Sequence, residues 1–248
     1  MLVLGIESTC DETGASIVKN GTTILSNIVA SSADIHRQYG GVFPELACRR
    51  HIDALLPVLD EALCQAGVQA SEIDLIAVAQ GPGLIGALLI GMNAAKGLSI
   101  AWKKPLIGVN HVEAHLYAAF MGQETPPSLP ALGVVLSGGH TLLLHILSIG
   151  DYRLIATTAD DAIGEAFDKV ATLLSLPYPG GPEIERLAKQ GDPTAFGFKA
   201  GFVKKNPLYF SFSGLKTSVL YAIQGKKGPR ETLAALPLKT KADIAASF

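Results

Sequence analysis

His111 and His115, in the stretch GVNHVEAHLYAAF from Gly108 to Phe120, stand four residues apart just after an apolar run. On a helix of about 3.6 residues per turn, positions i and i+4 lie about 40° apart, so both imidazoles can face one ion. Neutral imidazole suits iron, zinc and other borderline metals. Two donors do not complete a site, and a third ligand, by preference a carboxylate, has to come from elsewhere. The same spacing fits a capped helix with two solvent-facing histidines. A zinc-protease pattern is disfavoured, because its Glu follows the first His directly, whereas Glu113 comes two residues on and faces away.

Other segments carry potential chemistry. SGGH, Ser137 to His140, is a small turn between two apolar runs. Its successive backbone N–H groups can form a nest for phosphate or carboxylate, with Gly138 and Gly139 permitting close approach. An ordinary Gly-Gly hairpin turn reads the same way. STCDETG, Ser8 to Gly14, places Asp11 beside Glu12, and either carboxylate could act as a general base or position a nucleophile. Plain turn chemistry, with Asp11 making an Asx turn, accounts for it equally. In GEAFDK and PGGPEIE, Asp168 and the glycines before Pro182 could hold ribose hydroxyls or an amine, with Pro182 expected at the first helical position. His36, Arg37, Arg49, Arg50, Lys199, Lys204, Lys205 and Lys216 could track phosphates or form a solvated face.

These residues need elements to hold them. LVLGIE, ASIVKNG and TTILSNIVAS read as three strands joined by polar turns, and ALGVVL, TLLLHILSIGD and YRLIATT repeat that pattern later. The repeat predicts two similar halves, each pointing one polar turn towards a shared cleft. DAIGEAFDKVATLLS is helical by period, and so is PELACRRHIDALLPVLDEALCQAG, which Pro57 should kink or divide. DLIAVAQ, a helix opened by GPGLIG, and KPLIGVN form a strand–helix–strand crossover expected to be parallel. In NHVE, Asn110 is a good N-cap with Glu113 three residues on, so a helix should begin at His111. The domain boundary is expected near Val109, giving subdomains 1–109 and 110–248, with a Pro-rich linker from Gln123 to Pro130 in the second. The stretch from Gln190 to Lys227 has no assignable period.

Composition sets limits. The 248 residues are 48% hydrophobic and 17% charged, against a usual charged share of about 25%, so some apolar surface should be covered by a domain, a partner or further chain. A net charge of −2 argues against nucleic-acid binding driven by bulk charge. Cys10, Cys48 and Cys64 form no CxxC pair and suit a reducing, cytoplasmic setting. The N-terminus MLVLGIE lacks a basic n-region, and Lys96 breaks the most apolar stretch, so no membrane span is expected.

Taken together, GIESTCDETG, GGVFPELACRRH, AQGPGLIGALLIG, GVNHVEAHLYA, VVLSGGHT, GEAFDKVA, PGGPEIERLA and FSFSGLKTSV occur in that order. They resemble, nearly motif for motif, the bacterial tRNA N6-adenosine threonylcarbamoyltransferase family, once labelled O-sialoglycoprotein endopeptidases. The resemblance implies a duplicated actin/hexokinase/Hsp70-like, ribonuclease H-like α/β fold. It implies transfer of a threonylcarbamoyl group from threonylcarbamoyl-AMP to N6 of the adenosine beside the anticodon in tRNAs reading ANN codons. By the family's pattern His111 and His115 are ligands of one divalent metal, iron or zinc. The adenylate (threonylcarbamoyl-AMP or ATP) falls to Val135, Leu136, Ser137, Gly138, Gly139, Asp168, Gly181 and Glu185. Asp11 and Glu12 match the acidic turn implicated in activity. The implied partners are tRNA, a sister subunit of the same fold and a small ATPase, with no membrane. Family members continue beyond Phe248 with a further nucleotide loop, a metal-ligating Asp and a closing helix, so the second half is expected to be incomplete and the chain as given weakly active or inactive. A scaffold subunit or a small-molecule kinase would share the fold; retention of both histidines and the SGG turn argues against the scaffold.

Overall fold

A computed structural model describes residues 1–32, 43–123, 125–199, 201, 203–204, 206–224 and 236–248. His36, Arg37 and Lys205 lie outside the described residues. The chain divides into two compact units, Met1–Pro127 and Ser128–Phe248, and the boundary expected after Val109 falls at a strand–helix junction inside the first.

In the first unit, β1 (Leu2–Glu7), β2 (Glu12–Lys19) and β3 (Thr23–Ser31) form an antiparallel meander. Alternation puts Leu4, Ile6, Ala15 and Ile17 in the core. The Asn20–Gly21 turn between β2 and β3 holds φ of 54° and 80°, positive at both residues as a tight hairpin demands. β4 (Leu75–Gly81) pairs parallel with β1, and β5 (Leu106–Asn110) parallel with β4, giving the order β3-β2-β1-β4-β5.

Helix α1 (Pro44–Ala66) covers β2 and β3 with His51, Leu55, Val58, Leu59 and Ala62. Pro57 does not divide it: the helix is continuous from Pro44 to Ala66. Pro57 sits on the exposed face, where water can satisfy the carbonyl one turn back. Helix α2 (Ile85–Trp102) is the crossover between β4 and β5. By length and composition it could cross a membrane, yet Ala87, Gly91 and Ala95 form a buried small-residue stripe in a helix packed on α1 and β4. A Cβ on Gly91 would lie 2.3 Å from the Ser8 hydroxyl, so glycine there permits the close approach of α2 to the end of β1.

The second unit repeats the opening theme. β6 (Ala131–Leu136), β7 (Thr141–Ser148) and β8 (Asp151–Thr157) form an antiparallel meander in the order β6-β7-β8. Helices α3 (His111–Ala118) of the first unit and α4 (Ile163–Leu173), α5 (Gly180–Ala188), α6 (Ser213–Gln224) and α7 (Leu238–Ser247) of the second complete the described elements. Helices α4 to α7 bury Val170, Leu174, Ile184, Leu187, Val219 and Ile244 together. The two meanders have the same strand order and connection, so the duplicated actin-like α/β architecture holds. Among the described residues, the stretch that has no period in sequence holds one named element, α6 from Ser213 to Gln224. Asp160 reaches across to accept from Ser211 Oγ at 2.6 Å and from the Phe212 and Ser213 amides at 2.8 and 3.1 Å, anchoring the start of that helix.

Candidate functional site

The histidine pair is positioned by a helix start. Asn110 ends β5 in extended conformation, and its side chain accepts from the Val112 and Glu113 amides at 2.9 and 3.1 Å. That cap makes His111 the first helical residue and stacks His115 one turn later. The two rings meet edge to face with centroids 4.5 Å apart, and their Nε2 atoms approach to 3.1 Å. That spacing suits two nitrogens sharing one ion at metal–nitrogen distances of about 2.0–2.1 Å, so the donor set fits a borderline divalent cation. Among the described residues no group of three or more His, Cys, Asp and Glu gathers as a ready metal site, so these are two donors of an open set.

Behind His111 stand Glu7, the last residue of β1, and the turn that follows it. Glu7 Oε2 lies 3.1 Å from His111 Nδ1, and Thr9 Oγ1 lies 3.2 Å from the same nitrogen. The Thr9 amide donates to Glu7 Oε1 at 2.6 Å. The Thr9 carbonyl accepts from the Leu84 amide at 2.7 Å, and the Ser8 hydroxyl donates to the Ala87 carbonyl at 2.9 Å, which ties the end of β1 to the start of α2. Burial alone would raise the Glu7 carboxyl, but bonds from His111 and Thr9 hold it below its ordinary value. His115 is lowered by burial and by the neighbouring His111 ring, with Glu7 opposing.

A depressed imidazole pKa favours the neutral ring, the form that binds metal. It follows that His115 titrates with a midpoint below 6.5 in the folded chain. Any stability it contributes is complete above the unfolded value and is lost as pH falls through the folded one. A proton NMR titration of the His115 ring measures this directly; a midpoint above 6.5 would contradict the environment described here.

The acidic turn is fixed from beneath. His51, only 1% exposed, approaches the Cys10 carbonyl through Nε2 at 3.1 Å and the Thr13 hydroxyl through Nδ1 at 2.8 Å. A carbonyl only accepts, so Nε2 carries the proton and Nδ1 accepts from Thr13. Ser32 holds the Asp11 carbonyl from its amide at 3.0 Å and also from its hydroxyl. Asp11 is left half-buried and Glu12 exposed at the start of β2.

In the second unit SGGH is indeed a hairpin turn, closed by the Ser137 amide on the His140 carbonyl at 2.8 Å and the His140 amide on Ser137 Oγ at 3.0 Å. It is also docked on a helix. The first amides of α4 bond to this hairpin, Ile163 to Thr141 Oγ1 at 2.8 Å and Gly164 to the Ser137 carbonyl at 3.2 Å. The positive end of the α4 dipole therefore lies beside the glycines. Gly138, Gly139 and Gly181 have no positive φ, and a Cβ on any of them would meet open space. Neither backbone conformation nor packing among the described residues calls for glycine there. Val135 is buried, whereas Leu136 is exposed at the strand end.

Asp168 Oδ1 accepts from the Gly180 amide at 2.7 Å, so its carboxylate secures the start of α5. Helix α5 begins at Gly180, which places Pro182 third rather than first, still within the turn whose amides lack helical partners. Gly181 and Glu185 lie with Phe167, Ile184, Ala188, Ala245 and Phe248 along one shallow, open surface depression. Of the basic residues, Arg49, Arg50, Lys199 and Lys204 are exposed, but Lys216 is paired with Asp161 at 3.1 Å.

Glu7, His51, Thr141 and Gly164 do not stand out in the sequence as site residues, whereas Thr9 lies in the STCDETG turn as one of its hydroxyl donors. Glu7 left one trace, as the only charge closing the apolar strand MLVLGIE.

A model of the family described as tRNA N6-adenosine threonylcarbamoyltransferase (TsaD) matches residues 23–248. The tRNA N6-adenosine threonylcarbamoyltransferase of Protochlamydia amoebophila (strain UWE25) is 64% identical over 248 residues, 100% of this chain and 72% of that protein. The one of Anaeromyxobacter dehalogenans (strain 2CP-C) is 54% identical over 246 residues, 99% of this chain and 71% of that protein. Among solved structures, YeaZ from Pseudomonas aeruginosa superposes with a TM-score of 0.42 at 17% identity, covering 95% of this chain and 100% of that one.

Proposed function

The chain belongs to the tRNA N6-adenosine threonylcarbamoyltransferase family, and from that premise we propose which of its residues carry out each part of the transfer. The reaction is an acyl transfer in tRNA modification, moving a threonylcarbamoyl group to N6 of a tRNA adenosine. In this proposal the donor is threonylcarbamoyl-AMP, and the acceptor is the adenosine beside the anticodon in tRNAs reading ANN codons. N6 attacks the carbamoyl carbon and a C–N bond forms. The bond from that carbon to the phosphate oxygen breaks, AMP leaves, and the proton lost from N6 passes to Asp11 or Glu12.

Ser137, Gly138 and Gly139 receive the leaving phosphate through backbone N–H groups, beside the start of α4. Val135 and Leu136 carry the strand into that turn. Asp168 keeps Gly180 and Gly181 in place, and Gly181 and Glu185 give the nucleoside its wall. His111 and His115 hold one divalent ion, iron or zinc; when bound, it supplies Lewis-acid stabilisation of charge on a carbonyl oxygen. The observation that carries the cation assignment is the 3.1 Å convergence of the two Nε2 atoms with a carboxylate behind one of them. A sister subunit of the same fold and a small ATPase complete the proposed assembly in the cytoplasm. Exposed apolar side chains on the paired helices α1 and α2, namely Ile52, Leu56, Ile85 and Leu89, support a protein partner.

The proton-accepting role is tested by Asp11→Asn in a version as long as its family relatives, in a transfer assay with tRNA, threonylcarbamoyl-AMP and the partner subunits. The expected result is a rate lower by about 10²-fold or more, in the range of a lost general base, with unchanged adenylate affinity. A rate that stays at the parent level across pH would take Asp11 out of that role.

A further inference from the structure

Glu7 is the least expected member of the first unit's cluster. It closes β1, a strand otherwise apolar, and its carboxylate uses both oxygens: Oε1 accepts from the Thr9 amide at 2.6 Å, and Oε2 meets His111 Nδ1 at 3.1 Å. The His111 side chain is only 14% exposed, so the ring has little freedom to turn elsewhere. We propose that Glu7 is a positioning residue for His111, setting its tautomer so that the Nε2 lone pair faces His115 and a cation.

The reasoning is one of donors and acceptors. An ionised carboxylate only accepts, so the facing Nδ1 must carry the proton. In a neutral ring that leaves Nε2 bare. With no cation bound, Nε2 can then accept from the Nε2–H of His115 across 3.1 Å. Thr9 Oγ1, at 3.2 Å from the same Nδ1, cannot make the choice, because a hydroxyl donates as readily as it accepts. Carboxylates behind metal-binding histidines commonly fix ring orientation and raise ligand basicity, and their loss typically weakens metal binding about 10–100-fold. The inference rests on the assignment of His111 and His115 to a cation, but its first test needs none.

Nitrogen-15 NMR of the metal-free chain should show His111 protonated at Nδ1 and bare at Nε2. A wild-type His111 protonated at Nε2 would overturn the proposal. Glu7→Gln keeps size and the Thr9 contact but can turn an NH₂ towards the ring, so His111 should become a mixture of tautomers. Zinc or cobalt(II) affinity, measured by calorimetry, should fall about 10–100-fold. Glu7→Asp retains an acceptor-only carboxylate and should keep the Nδ1–H tautomer, with a smaller loss of affinity. Unchanged tautomer and affinity in Glu7→Gln would overturn the role of Glu7. If His111→Ala also leaves zinc affinity unchanged, the cation assignment itself is at fault, and the NMR result still decides the role of Glu7.

Discussion

Gly164→Ala is expected to displace the SGG turn, lower the affinity for AMP by at least about 10-fold and reduce thermal stability. The added Cβ would sit 2.7 Å from both Gly138 Cα and the Ser137 carbonyl and 2.9 Å from the Gly138 amide. All three are backbone atoms of the hairpin, so no flexible side chain can swing aside. Overpacking of this kind costs about 1–3 kcal/mol, whereas alanine in place of glycine within a helix returns up to about 1 kcal/mol. The clash should win, because relieving it also breaks the Gly164 amide's bond to the Ser137 carbonyl at 3.2 Å. Calorimetric titration with AMP and a melting curve on the same sample measure both effects. A more stable variant with unchanged AMP affinity would mean that the turn tolerates movement and is not the rigid phosphate cradle proposed.

His111→Ala should remove most cation binding, with affinity lower by about 100-fold or more, because one of the two donors that converge among the described residues is lost. It should also cost stability, since Glu7 would lose its imidazole partner in a half-buried setting, a loss of about 1–3 kcal/mol. His115→Ala separates the two effects. It deletes the other donor but leaves the Glu7–His111 contact, so cation binding should fall comparably while the melting temperature changes less. Cobalt(II) absorption spectra and melting curves of the two variants test this. Equal destabilisation by both, with cobalt binding intact, would reduce the pair to structural histidines on a capped helix.

Both predictions depend on contacts between distant parts of the chain, and legibility divides along that line. The helix beginning at His111 was readable because Asn110 caps it from the adjacent position, and i,i+4 spacing is a property of any helix. The strands and their repeat were readable because a two-residue alternation is local, as Leu4 and Ile6 show. The hairpin turn at SGGH is likewise encoded in four consecutive residues.

Glu7 and His111 are different: they lie 104 residues apart. They meet because β1, β4 and β5 run parallel in adjacent positions, so the chain leaves β1 and β5 at the same edge of the sheet. No local pattern encodes that strand order. Gly164 reads as a weak helix former until the backbone of Ser137 and Gly138 is found where its side chain would be. Pro57 marks the opposite case, since local propensity predicted a kink or a division and the helix runs undivided from Pro44 to Ala66, with the face opposite Pro57 buried. Sequence alone thus determined the two strand meanders, their turns and the capped start of the helix at His111, because each depends on neighbours within a few residues. Tertiary structure alone decided which groups stand behind those donors, because sheet order and close backbone approach arise only when remote segments pack.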